Sequence, residues 1–334
     1  MSESTGEHND RTMHMEVPMV ARRIVITGGA GFIGANLARF LTQQSHDFQV
    51  AVIDDLSSGS RENLKGLQVE FIEGSILDRA LVDAVFEGAD AIVHLAARPS
   101  VPRSLADPLA TNVVNVDGTL NVLQAAQALS DALVIVASSS SVYGANPVLP
   151  KHELLTPMPM SPYAVSKLAE EQYALAWQYS FGLRSICFRF FNVYGPLQQS
   201  GHAYAAVVPA FVAASISGEP LVVHGDGSQT RDFTYVDTVC DVIATAIEQN
   251  ISSPSPINLA FGTKTRISDL ADLIDGITCH TAERNYVDAR NADVKHSQAD
   301  NSLLREMFPD VKATPLSDGL RTTISWMQSI STVA

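Results

Sequence analysis

Short apolar runs rich in β-branched residues alternate with longer helical patterns from Arg22 onward. The runs are "RIVIT" (23–27), "QVAVID" (49–54), "VEFIE" (69–73), "DAIVHL" (90–95), "ALVIVAS" (132–138) and "SICFRFF" (185–191). Several are apolar almost throughout, as strands covered on both faces of a parallel sheet must be. Helical stretches fall between them at 32–44, 78–87, 105–129 and 161–181. Strand–helix alternation with right-handed crossovers predicts an α/β fold built on a doubly wound parallel sheet. After "NVYGP" (192–196) the pattern breaks into shorter pieces, with turn signals at Gly218-Glu219-Pro220 and Gly225-Asp226-Gly227. The expected organisation is a disordered leader over 1–20, a dinucleotide-binding domain over 21–191 and a smaller α/β substrate domain over 192–330. Segments around 232–262 are expected to return to the first domain.

Composition narrows the class. The 334 residues are 46% hydrophobic and 17% charged, enough to bury a proper core in one large or two modest domains. No apolar run approaches the ~20 residues needed to span a bilayer. The opening "MSESTGEHNDRTMHMEVPM" has no apolar centre and does not read as a secretory signal. A net charge of −14 argues against nucleic acid and anionic membranes as partners. Cys187, Cys240 and Cys279 are far apart and lack metal-ligand spacing, so free thiols in a reducing cytoplasm and no metal site are expected.

"ITGGAGFIG" (26–34) follows the first strand and opens the first helix, the context that a phosphate-binding glycine turn requires. Gly28 and Gly31 allow a tight turn and close approach of a pyrophosphate, and Gly34 allows close helix–sheet packing. A glycine motif by itself is weak, since ordinary tight turns use the same residues. Asp54 strengthens it: twenty residues beyond Gly34, at the end of the second strand, its carboxylate can accept both hydroxyls of an adenosine ribose. The same charge repels a 2′-phosphate, which favours NAD over NADP. A merely structural Asp54, capping the following loop, is the bland alternative.

Tyr163 and Lys167 stand four apart in "SPYAVSKLAEEQ", on a helix whose Pro162 suits the first turn. The ammonium is expected to lower the phenol's pKa and make Tyr163 a base near neutrality. Alone, this spacing is a commonplace helix surface; beside a dinucleotide turn and the serine run "SSSS" (138–141) it reads as a reaction centre.

"TGGAGFIG", "HLAA" (94–97), "SSSSVYG", "SPYAVSK" and "RFFNVYGP", in that order, resemble the extended short-chain dehydrogenase/reductase family in its nucleotide-sugar branch. The resemblance covers nearly all of the chain beyond Arg22. It implies a Rossmann-type sheet, bound NAD, a homodimer joined by a four-helix bundle, and catalysis by Ser139, Tyr163 and Lys167. It also implies a cofactor site formed by Phe32, Ile33, Asp55, Leu56, Ser57, Ser58, Gly59, Ser75, Ile76, Leu95, Ala96, Ala97, Ala137 and Phe190 beside the residues above. The helical stretches 105–129 and 161–181 are expected to supply the bundle through Leu120, Leu123, Ala126, Leu168, Tyr173 and Ala176.

Within the branch, the serines discriminate. Dehydratases typically carry an Asp-Glu pair before "VYG", and decarboxylases a Glu at the place of Ser141; this chain has Ser140-Ser141. Without either acid the 4-keto intermediate is expected to take its hydride back on the opposite face, which is 4-epimerisation. The resemblance places Ser100, Ser140, Asn192, Ala206, Val207, Val222, His224, Arg231, Arg290, Asp293 and Ser297 around a UDP-sugar, the arginines on the diphosphate and Asp293 on the uridine ribose. Ser297 falls where a bulky Tyr would exclude a 2-acetamido group, so UDP-N-acetylglucosamine/UDP-N-acetylgalactosamine is the expected pair, UDP-glucose/UDP-galactose a further one, and UDP-glucuronate epimerase or a dehydratase/reductase the alternative. A non-catalytic NAD sensor would have lost Tyr163, Lys167 or Ser139, and a simple dehydrogenase would not need arginines that grip a nucleotide.

Overall fold

The structure, a computed structural model, describes residues 21–44, 48–200, 205–289 and 294–331. The first half of the chain runs β1 (Arg22–Thr27), α1 (Phe32–Gln44), β2 (Phe48–Asp54), β3 (Val69–Glu73), α2 (Arg79–Phe86), β4 (Ala91–His94), α3 (Val101–Ala106), α4 (Pro108–Asn112), α5 (Gly118–Gln127), β5 (Leu133–Ser139), α6 (Pro162–Phe181) and β6 (Arg184–Phe190). The second half holds β7 (Val193–Tyr194), α7 (Val207–Ser217), β8 (Leu221–His224), β9 (Thr230–Arg231), β10 (Thr234–Tyr235), α8 (Val236–Glu248), β11 (Ile257–Leu259), β12 (Thr265–Arg266), α9 (Ile267–Thr278), β13 (Arg284–Val287), α10 (Ser302–Met307) and α11 (Leu316–Ser331).

Seven strands form one parallel sheet in the order β11-β6-β5-β4-β1-β2-β3. Alternation along β1 shows why its strands read as continuously apolar. Ile24 and Ile26 enter the core shared with α1 and α8, while Val25 enters the core shared with α2 and α5. Both faces are dry, as a doubly wound sheet demands. Chain order reverses between β1 and β4, whose ends pair Thr27 with His94. A crevice opens at such a reversal, outside the carboxyl ends of the strands. The later part adds three two-stranded pairs, β7 with β10, β9 with β12 and β8 with β13. Its α8 packs against α1, and β11 pairs with β6 at the edge of the large sheet.

The single helix expected over 105–129 is broken. Asp107 takes an extended backbone (φ −145°, ψ 82°) and its side chain accepts the Ala110 N–H, so α4 starts afresh at Pro108. Proline disfavours the helical conformation in the residue before it, and periodicity alone does not register that cost. A π-helical turn over Val113–Asp117 follows before α5. By contrast α6 starts where its signals place it. The Ser161 side chain accepts the Ala164 N–H, Pro162 occupies the first turn, and Gly182 closes the helix with φ 72°.

Candidate active site

The turn after β1 depends on two glycines for different reasons. Gly28 has φ 69°, and a Cβ there would stand 2.7 Å from the Ala96 backbone. At Gly34 a Cβ would stand 2.5 Å from the Gly28 carbonyl oxygen, so the start of α1 lies directly on the turn. No acidic residue occupies the first turn of α1, leaving its exposed N–H groups available to an anion.

These elements wall an open cleft at the strand ends. Of the residues assigned from sequence to the cofactor, Gly28, Gly31, Phe32, Ile33, Gly34, Asp54, Asp55, Ser57, Ser58, Ile76, Leu95, Ala96, Ala97, Ala137, Tyr163, Lys167 and Phe190 line it. Asp54 Oδ2 accepts the Ala30 N–H at 2.9 Å and Oδ1 accepts the Leu56 N–H at 2.8 Å. Each oxygen keeps lone pairs for a ribose hydroxyl. Burial raises the carboxyl above its ordinary pKa, against these backbone N–H groups, which favour the charge. Three of the expected residues stand behind the lining rather than in it. Leu56 bonds Asp54 from a left-handed backbone (φ 58°), Gly59 lies against Ala30 and Asp54, and the Ser75 hydroxyl accepts the Leu77 N–H. A glycine turn that a Cβ would obstruct, an uncovered helix start and a carboxylate at the end of β2 fit an NAD dinucleotide.

Ser139, Tyr163 and Lys167 meet at the other end of this cleft. Ser139 ends β5 beside Phe190 of β6 and caps the short turn after it, its hydroxyl accepting the Ser141 N–H at 3.1 Å. Ser139 acts on the Tyr163 phenol in the direction that favours its ionised form. Lys167 is buried, and its Nζ donates to the Ala137 carbonyl at 2.9 Å and to Glu170 Oε2 at 2.8 Å. The expectation of a lowered phenol pKa is corrected here: burial raises Tyr163 above its ordinary value, with Lys167 and Ser139 pulling it down and Glu170 pushing it up. Desolvation acts on the whole pocket, whereas the spacing shows only the lysine. On Lys167 burial acts downward, but Glu170 and Tyr163 leave the ammonium above its ordinary value.

The serine run divides as a strand divides its side chains. Ser138 and Ser139 both line the first cleft, but the Ser138 hydroxyl turns away to donate to the buried Glu171 at 2.8 Å, while Ser140 and Ser141 line a third hollow.

A second open cleft shares Val193 and Gln198 with the first. Asn192, Ala206, Val207, Val222, His224 and Arg231 line it, all of them assigned to the substrate from sequence. Asn192 holds φ 34°, a conformation asparagine tolerates, and its amide donates to the Asp232 carbonyl at 3.1 Å. Arg231 also walls the third hollow, with Ser140, Ser141, Asn192, Lys151 and Ser297. Ser100 is not among these linings: at φ 98° it caps α3, its hydroxyl 3.5 Å from the Arg103 N–H. Arg290 and Asp293 lie outside the described residues, as does the leader over 1–20.

Sequence reasoning missed several wall residues. Gln198, common to both clefts, sits in an irregular loop with no periodic signal. Lys151 is buried beside Ser140 and Ser141, its Nζ bonding the Asn146 carbonyl. The signal for Lys151 is only a lone lysine after proline. Among the described residues no helix is long and apolar enough to cross a membrane, and no His/Cys/Asp/Glu group has the arrangement of a metal site.

Comparison with known proteins gives a consistent picture. The profile described as "NAD dependent epimerase/dehydratase family" matches residues 24–260. A UDP-glucose 4-epimerase of Mycolicibacterium smegmatis is 34% identical, covering 92% of this chain and 99% of its own. A solved UDP-N-acetylglucosamine 4-epimerase from Methanobrevibacter ruminantium, in complex with UDP-N-acetylmuramic acid, superposes with a TM-score of 0.88 at 36% identity, over 93% of this chain and 100% of that one. A UDP-glucuronic acid 4-epimerase from Bacillus cereus, in complex with UDP-glucuronic acid and NAD, gives 0.84 at 27% identity, over 92% and 99%. The chain belongs to the NAD dependent epimerase/dehydratase family, in its branch of NAD-using UDP-sugar 4-epimerases.

Proposed function

We propose that the enzyme interconverts UDP-N-acetylglucosamine and UDP-N-acetylgalactosamine through a 4-keto sugar. Bound NAD supplies the hydride acceptor and donor. Tyr163 takes the proton of the sugar's 4-hydroxyl and later returns it, Ser139 aligns that hydroxyl, and Lys167 holds its charge beside the phenol. Arg231 faces the nucleotide end, and Arg290 and Asp293 are assigned to the same end by sequence. The observation that carries the substrate choice is Ser297, in one hollow with Ser140, Ser141 and Asn192 next to the reaction centre. A serine there leaves the space a ring would fill and offers a hydroxyl to an amide. The 36% identity to the Methanobrevibacter enzyme supports the same substrate class.

The test is kcat/KM for UDP-N-acetylglucosamine against UDP-glucose in the wild type and in Ser297→Tyr. The acetamido sugar is expected to lead in the wild type and to be lost selectively in the variant. If Ser297→Tyr turns over both sugars unchanged, Ser297 is not the gate and the substrate assignment fails. A second reading, a hexuronate substrate, draws on the buried Lys151 in that hollow, a cation suited to a sugar carboxylate. Turnover of UDP-glucuronate above that of the acetamido sugar would favour it.

A further inference from the structure

Glu170 does not line the cleft, yet it touches a residue that does. Its carboxylate is fully buried, with Oε2 2.8 Å from Lys167 Nζ and Oε1 without a hydrogen-bond partner among the described residues. The Ala137 carbonyl takes a second N–H of the same ammonium, leaving the third to face the cleft. The other titratable groups acting on this pair are Tyr163, one turn earlier on α6, His94 on β4 and Cys187 on β6. Burial above all keeps the imidazole and the thiol uncharged. The neighbouring Glu171 is engaged by Arg189 at 2.7 Å. Lys167 therefore carries the positive charge for which two acids, Tyr163 at the cleft wall and the buried Glu170, compete.

We propose that Glu170 is a positioning residue that shares the Lys167 ammonium with Tyr163 and so sets the pH at which Tyr163 releases its proton. The proposal rests on Tyr163 as the base. While Glu170 is ionised it offsets the ammonium, and Tyr163 holds its proton more firmly. Protonating Glu170 leaves the ammonium to Tyr163 and favours the phenolate. The two titrations oppose each other, as coupled sites do. Burial holds the Glu170 carboxyl well above the ordinary carboxylate range, against the pull of Lys167, which brings its titration toward working pH. The charge count supports the arrangement. The pocket is neutral with the nicotinamide oxidised and Tyr163 ionised, and again neutral with the nicotinamide reduced and Tyr163 protonated.

Glu170→Gln keeps an acceptor for Lys167 and removes the charge. The acid limb of kcat/KM is expected to move to lower pH by about one unit. The ultraviolet titration of Tyr163 in cofactor-free protein, isolated by subtracting the same titration in a Tyr163→Phe background, should move the same way. A purely structural Glu170 would change stability and leave both profiles in place, and that outcome overturns the proposal. Glu170→Met, of similar volume, carries the same expectation if the amide does not fold. Wild-type turnover in Tyr163→Phe would instead remove the base itself, a failure that the ultraviolet titration distinguishes from this one.

Discussion

The Ser138 hydroxyl donates to Glu171 Oε2 at 2.8 Å, and the same carboxylate receives Arg189 through Nε at 2.9 Å and Nη2 at 2.7 Å. Arg189 in turn lies over the Tyr143 ring, 4.8 Å from its centroid. This buried group ties α6 to β5 and β6 immediately beneath Ser139. Glu171→Ala is expected to destabilise the fold by about 3–5 kcal/mol, because it strands a buried guanidinium. Denaturant unfolding of the variant measures it, and a loss under about 1 kcal/mol would show that the pair contributes little.

Tyr163→Phe should lower turnover roughly 10²–10⁴-fold while leaving UDP-sugar binding nearly intact. With burial raising the phenol's pKa, wild-type activity should rise with pH through the titration of Tyr163, and the variant's residual activity should be flat over that range. Wild-type-like turnover in Tyr163→Phe would sink the assignment.

His94 is fully enclosed, its Nδ1 2.8 Å from Thr27 Oγ1 and its Nε2 2.9 Å from Thr119 Oγ1. Burial, and then the charge of Lys167, lowers its pKa from 6.5 to about 3. The folded protein thus refuses a proton that the unfolded chain accepts. Stability from this site is complete above about pH 6.5 and is lost on acidification toward about pH 3, at up to roughly 1.4 kcal/mol per pH unit. His94→Gln should flatten that part of a stability-against-pH curve, though it starts from a lower plateau; an unchanged slope would contradict the assignment.

A homodimer is expected, through a face different in detail from the one periodicity suggests. Leu123 and Ala126 are buried in their own chain's core and cannot meet a partner. Leu105, Leu109 and Val113 on the broken helical segment and Val165 and Tyr173 on α6 are exposed. Light scattering at micromolar concentration should give twice the chain mass, and Leu109→Asp with Val165→Asp should reduce it to one.

The sheet was legible because a parallel strand covered on both faces writes an unbroken apolar run. β11 was not, since Ile257–Leu259 is too short to carry a period. The glycine turn, Asp54, Tyr163 and Lys167, which line the first cleft, stand out by local spacing, because each lies within one strand–turn–helix or one helix turn. What spacing could not convey is depth. Glu170 and Glu171 look like a solvated helix face, yet both are fully buried, one held by a lysine a turn away and the other by Arg189 from another element. The division of labour between Ser138 and Ser139 likewise follows from which face of β5 each occupies, information that four identical letters do not contain.

Val193 and Gln198 are walls of two chambers at once. On the proposed assignment, with the dinucleotide in the first chamber and the sugar nucleotide in the second, each ligand meets walls that the other also touches, and their two affinities are expected to be coupled. Any factor by which one ligand changes the other's dissociation constant must act equally in reverse. A dissociation constant for the sugar nucleotide is then defined only together with the fraction of protein that holds its dinucleotide.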